Sequence, residues 1–277
     1  MGSKRGEWTP FFLCLAAAGY GLALLYSATR YDPELHSMVA KQGVALAGGV
    51  TVCLVLRVLD VRRLLERLWW LLPPLNAGLL LLLVPFGNDD GTGNKSWLAL
   101  PGGLFNLQPG EVVKVTFLLL LALQLQKQGE KGLNRPKSVA LLLLHVLALC
   151  ALVYGVSGDI GMVAVYLAIY LVMLWSAGGH PLWLLGQVGA GVGAVALLWS
   201  RLPDYVRQRF LVVFDHDLDP LGTGFQQARS LLAIGSGQVT GQGYLQGTQT
   251  QSASASALPA RHTDFIFAVC GEELGLV

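Results

Sequence analysis

The sequence predicts an all-α polytopic membrane protein, with seven transmembrane helices, the start of an eighth and a large extracytoplasmic loop. Three observations carry that prediction. Only 13% of the 277 residues are charged, 53% are hydrophobic and the mean hydropathy is +0.55, where a soluble domain carries roughly a quarter charged residues. Seven stretches stay apolar for about the 20 residues that a bilayer core of about 30 Å requires. Basic residues are spread unevenly over the connecting segments. The same arithmetic excludes other classes. A formal net charge of +2 with no basic block rules out an electrostatic nucleic-acid binder, and the apolar fraction rules out a disordered chain.

The first predicted span, residues 9–28, follows Lys4 and Arg5. It resembles a signal peptide but lacks an A-x-A cleavage site, so it reads as an uncleaved helix. Further spans are predicted at 38–59, 68–86, 111–126, 139–157, 159–177 and 181–200. Asp159 is the only formally charged residue from Ser138 to Ser200. With a cytoplasmic N-terminus, the inner segments hold ten cations: Lys4, Arg5, Arg57, Arg62, Arg63, Arg67, Lys127, Lys131, Arg135 and Lys137. The outer segments hold four, Arg30, Lys41, Lys95 and Lys114. That asymmetry predicts a cytoplasmic N-terminus.

The loop at 201–264 then lies outside. It carries five Arg and five Asp, abundant Gly from Gly222 to Gly247, and recurrent apolar residues such as Phe210, Val212, Phe214, Leu231 and Ile234. A loop of this length is functional or disordered, and its apolar content predicts a folded structure capping the bundle. From Phe265 the thirteen residues to Val277 are too few to cross a membrane. The eighth helix therefore reads as unfinished and the chain as C-terminally incomplete.

Ionisable groups in or beside a membrane are costly, so each one is a candidate for function. Cys14, Cys53, Cys150 and Cys270 stand singly and read as small buried hydrophobes. Gln108-Pro109-Gly110-Glu111-Val112-Val113-Lys114 opens the fourth helix. Glu111 and Lys114 share a face, either as a helix cap with an ion pair or as paired charges lining a cavity open to the outer leaflet. Asp159 reads first as an N-cap of the sixth span. His145, among leucines, reads as a hydrogen-bonded packing residue. Asp215-His216-Asp217-Leu218-Asp219 imitates a calcium loop, but Pro220 and Gln226 stand where an EF-hand needs Gly and Glu. Gly235-Ser236-Gly237 and Gly241-Gln242-Gly243 lack the strand and the Lys of a phosphate loop. They read as turns that let backbone approach a lipid headgroup.

Leu258-Pro259-Ala260-Arg261-His262-Thr263-Asp264-Phe265 is the most informative run. It sets a carboxylate beside an Arg and a His at the mouth of an apolar helix. Burial would raise the Asp264 pKa and Arg261 would lower it, giving a poised base; the rival role is a helix N-cap. Glu272 and Glu273 follow one or two turns deeper, an unusual pair of adjacent acids in a span.

These residues resemble the SEDS family (shape, elongation, division and sporulation), which includes RodA, FtsW and SpoVE. The match covers nearly the whole chain and is densest from Asp219 to Val277. It includes Pro220-Leu221-Gly222, Phe225-Gln226, Ser230, Ala233-Ile234-Gly235-Ser236-Gly237, Gly241-Gln242-Gly243, Gly247-Thr248-Gln249, His262-Thr263-Asp264-Phe265-Ile266-Phe267-Ala268 and Glu272-Glu273-Leu274-Gly275. The Gly-Thr-Gln and Pro-Ala-Arg-His-Thr-Asp stretches look more like RodA than FtsW. Gly110, Lys95-Ser96-Trp97 and Ser157-Gly158-Asp159 depart from the family pattern.

The resemblance implies a peptidoglycan glycosyltransferase of about ten helices in the bacterial plasma membrane. Such an enzyme polymerises lipid II outside the membrane with a class B penicillin-binding protein, and serves cell shape and division. It implies Asp264 as the catalytic residue. Glu111, Lys114, Asp159, Arg261, His262, Thr263, Gln226 and Ser230 become the substrate-binding cavity residues. The expected reaction is an inverting transfer. Arg, Lys or a divalent cation (Mg or Mn) would neutralise the diphosphate leaving group, and no protein metal site is expected. Two rival functions are a lipid II flippase, with Glu111, Lys114 and Asp159 marking a headgroup path, and a non-catalytic scaffold for a penicillin-binding protein.

Overall fold

The structure, a computed structural model, describes residues 8–33, 35–88, 94–99, 106–201, 207, 211, 223–254 and 256–275. Among them the helices are α1 (Thr9–Thr29), α2 (His36–Val58), α3 (Val61–Leu68), α4 (Leu72–Leu81), α5 (Leu83–Phe86) and α6 (Pro109–Leu133). Then come α7 (Pro136–Ser157), α8 (Ile160–Ser176), α9 (Pro181–Leu198), α10 (Thr223–Gly237) and α11 (Ile266–Leu274).

Among the described residues, six stretches are long and apolar enough to cross a membrane: Thr9–Thr29, His36–Val58, Val61–Phe86, Pro109–Gly129, Pro136–Ser157 and Pro181–Arg201. The sixth expected span, α8, is apolar but only 17 residues long. At about 1.5 Å per residue it reaches about 25 Å, the short end of what spans a bilayer. Its start is set by two residues. Gly158 closes α7 at φ +71 in the left-handed region, and the Asp159 carboxylate caps α8 by accepting the Met162 N–H at 2.9 Å.

The third expected span begins earlier than 68 and is broken. It runs as α3, a 3-10 turn over Trp69–Leu71, α4 and α5. Pro73 and Pro74 account for the break, since they carry no N–H and sit where α4 restarts. The all-α prediction also misses a small antiparallel sheet. Gly87–Asn88, Trp97–Ala99 and Asn106–Leu107 pair in the order β1-β2-β3, with Gly87 opposite Leu98 and Leu98 opposite Leu107. Strands of two or three residues are too short to carry an alternating signal.

The chain divides into two compact units, one of Val55–Leu198 and one of Met1–Leu54 with Trp199–Val277. The core of the Val55–Leu198 unit is built from stripes spaced by three or four. They are Val113, Phe117, Leu121 and Leu125 on α6, then Leu142, Val146, Cys150 and Val153 on α7, then Met162, Tyr166, Tyr170 and Leu174 on α8. That spacing keeps each set on one helix face. Two polar side chains at this core are paired across elements. The Tyr166 hydroxyl donates to the Gly110 carbonyl at 2.8 Å, and the Thr116 hydroxyl donates to Asn76 at 2.6 Å. His145 shares a hydrogen bond of 2.9 Å with Gln124 and packs edge-on against Phe117, the packing role its surroundings predict.

In the other unit, Leu24 and Ala28 of α1 join Ala233, Leu258, Ala268 and Val269 in a small core. Helices α10 and α11 touch at Gly237, where a Cβ would meet the Gly271 carbonyl oxygen at 1.9 Å. Only glycine permits that approach. The 201–264 stretch thus contains a helix, α10, followed by a turn-rich run to Phe265. Phe210, Val212, Phe214 and the Asp215–Asp219 run lie outside the described residues.

Candidate functional site

The turn that carries Asp264 is built on one carbonyl. Ala260 C=O accepts the N–H of Thr263 at 3.0 Å, the N–H of Phe265 at 3.2 Å and the Thr263 hydroxyl at 3.3 Å. Ala260 itself sits at φ +47, a left-handed conformation that a non-glycine residue adopts only when its surroundings impose it. Both neighbours of Asp264 are therefore tied down. Its own carboxylate is exposed. Helix α11 has Phe265 at its N-cap with no side-chain capping bond, so capping does not occupy Asp264.

Arg261 does not pair with Asp264 as the sequence suggests. Its guanidinium is 8% exposed and donates to the carbonyls of Thr250 and Ser252, the latter at 2.8 Å. A buried guanidinium must satisfy its donors locally, and these two carbonyls are the acceptors within reach. Burial pulls its pKa below the ordinary arginine value, and the charge of Asp32 partly opposes that. His262 is half-buried and Thr263 exposed. Gln226 and Ser230, four apart, share a face of α10 and are half-buried.

Glu111, Lys114 and Asp159 belong to the Val55–Leu198 unit. Lys114 Nζ lies 2.8 Å from Glu111 Oε1, the pairing that their spacing predicts, with side chains 22% and 56% exposed respectively. Asp159 is engaged as the cap of α8. Among the described residues, no three His, Cys, Asp or Glu side chains converge as a metal site.

Glu272 and Glu273 lie outside the site that the sequence predicts. They are 0% and 1% exposed. Glu272 Oε1 accepts from the Gln249 N–H at 2.8 Å and the Thr248 hydroxyl at 3.1 Å, while Oε2 accepts the Thr250 N–H at 2.8 Å and its hydroxyl at 2.6 Å. Glu273 accepts from Ser27 Oγ, from Gln251 Nε2 at 2.6 Å and from the Leu245 N–H at 3.1 Å. No cation pairs with either carboxylate among the described residues; hydroxyls and amides satisfy both. The glycine turns serve the same helix. Gln242 and Gly243 donate their N–H groups to the Glu272 and Glu273 carbonyls, each at 2.9 Å. At Gly237 and Gly241 the close backbone approach is made to α11. The signal for this was the presence of two acids in an otherwise apolar run.

A family model for cell cycle proteins of the FtsW, RodA and SpoVE type matches residues 8–277. The chain is 32% identical to a protein named probable peptidoglycan glycosyltransferase FtsW from Geobacter metallireducens, over 99% of this chain and 72% of that one. It is also 32% identical to peptidoglycan glycosyltransferase MrdB of Escherichia coli K12, over 97% of this chain and 70% of that one. Among solved structures it resembles a chain of a peptidoglycan synthase complex described as coordinating polymerization and crosslinking. There the TM-score is 0.71 and the identity 28%, over 97% of this chain and 71% of that one. It also resembles the rod shape determining protein RodA of Thermus thermophilus, with a TM-score of 0.59 and 26% identity over 97% and 67% of the two chains.

Proposed function

This chain belongs to the FtsW/RodA/SpoVE family of cell cycle proteins, as a peptidoglycan glycosyltransferase of cell-wall synthesis, and we propose that lipid II is the substrate it polymerises. The reaction is an inverting glycosyl transfer at the outer face of the bacterial plasma membrane, with the N-terminus in the cytoplasm. Asp264 takes the proton of the acceptor hydroxyl as that oxygen attacks the anomeric carbon of the donor. The new glycosidic C–O bond forms as the bond to the diphosphate breaks, and polyprenyl diphosphate departs with the electron pair. The leaving group needs countercharge, from a Lys or Arg or from a Mg²⁺ or Mn²⁺ ion; loss of rate on chelation assigns it to the ion. A class B penicillin-binding protein is the proposed partner, tested by co-purification.

One observation carries this reading. Of the three acids from Asp264 to Glu273, two are buried in hydrogen bonds, whereas Asp264 is exposed on a turn whose backbone is pinned. A general base needs an accessible carboxylate in a defined place. Asp264→Asn in a lipid II polymerisation assay is expected to lose about 10²–10⁴-fold with an unchanged thermal midpoint. Full activity would remove Asp264 from the mechanism.

A further inference from the structure

Hydrogen bonds link Glu272 through Thr250 to Arg261, and the chain itself joins Arg261 to the Asp264 turn. Thr250 is held at both of its backbone polar groups: Glu272 Oε2 takes its N–H, and the Arg261 guanidinium donates to its carbonyl. The Thr250 hydroxyl adds a second bond to Glu272. Arg261 directly follows Ala260, whose carbonyl binds both neighbours of Asp264. Glu272, Thr250 and Arg261 are 0%, 1% and 8% exposed, so each link is locked by packing.

We propose that Glu272 is a positioning residue for Asp264: acting through Thr250 and Arg261, its carboxylate holds the turn that presents the base. The proposal rests on reading Asp264 as that base. A carboxylate is required because the groups around it donate: the Thr248 and Thr250 hydroxyls and the Gln249 and Thr250 N–H groups. A glutamine of the same shape would set its own NH₂ against two of these donors. Displacing a reacting group by about 1 Å costs about 10²-fold in rate.

The test measures kcat and KM for lipid II polymerisation by the full chain in lipid nanodiscs. The variants are Glu272→Gln, Thr250→Val, Thr250→Ser, Asp264→Asn and the Glu272→Gln/Asp264→Asn pair. Glu272→Gln is expected to lower kcat about 10–100-fold with KM within about twofold. Thr250→Val lowers kcat less, and Thr250→Ser, which keeps the hydroxyl, restores it. On the Asp264→Asn background, Glu272→Gln causes no further loss, because its effect passes through that carboxylate. Additional loss there, a change confined to KM, or wild-type kcat in a folded Glu272→Gln protein each overturns the proposal. Should Glu272→Gln fail to fold, the two Thr250 variants decide it. Full activity of Asp264→Asn would remove the catalytic reading and this inference together. An inactive Asp264→Asn beside wild-type Glu272→Gln and Thr250→Val would remove the inference alone.

Discussion

Ser27 and Glu273 meet across 246 positions of sequence, with Ser27 Oγ lying 2.8 and 2.7 Å from the two carboxylate oxygens. The contact joins α1 to α11 inside one unit, and Gln251 reinforces it by donating to Glu273 at 2.6 Å and to Ser27 Oγ at 2.7 Å. Ser27→Ala should destabilise by about 1–2 kcal/mol, since Glu273 keeps its other donors. Glu273→Ala leaves the Ser27 hydroxyl and the Leu245 N–H without that acceptor, at about 1–3 kcal/mol each, while Gln251 keeps Ser27 Oγ as a partner. Thermal unfolding in detergent ranks the two, and equal midpoints would contradict the arrangement.

Two neighbouring glycines of α10 should behave oppositely. A Cβ at Gly237 would meet the Gly271 carbonyl, whereas one at Gly235 meets nothing within 4 Å. Gly237→Ala should cost about 1–3 kcal/mol or more by forcing the helices apart. Gly235→Ala should be neutral or stabilising by up to about 1 kcal/mol through helix propensity. Midpoints of the two variants against wild type check this.

At Asp159 the cap and the substrate roles separate chemically. Asp159→Ala should lower stability by about 1 kcal/mol, while Asp159→Asn, which retains an acceptor, should not. Polymerisation by the folded Asp159→Asn protein then reports on the charge alone. If the carboxylate contacts substrate, KM rises while the midpoint stays put.

For Glu111 and Lys114, exposure limits the structural contribution. A pair with side chains 56% and 22% exposed is worth about 0.2–1 kcal/mol. Glu111→Gln should therefore barely shift the midpoint but should raise KM for lipid II if the pair binds the headgroup. A midpoint drop well above that range would mark the pair as structural.

Much of this was legible from residue types. Asp159 as a cap and the Glu111–Lys114 pair follow from a spacing of three along the chain at a helix, which backbone geometry enforces, and the packed role of His145 follows from the leucines around it in sequence. The small sheet between α5 and α6 was not legible, because its strands of two or three residues carry no alternating pattern, and the third span starts at Val61 rather than at 68. The partners of Arg261 were not legible, because nearness in sequence to Asp264 says nothing of where its guanidinium points.

Composition and apolar run length alone determined that this is a membrane-spanning helical protein, because the bilayer demands about 20 apolar residues per crossing whatever they pack against. The inward faces were not readable in that way. Exposed Leu118, Leu141, Leu144 and Val172 are as apolar as buried Leu121, Leu142 and Leu174, and with lipid outside no hydropathy difference separates the two sides. Only the tertiary structure decided which acids are spent and which is available. Glu272 and Glu273 are enclosed by donors from segments some 20 to 250 residues away in sequence, and Asp264 stays open, because burial and hydrogen bonding depend on what the fold brings together.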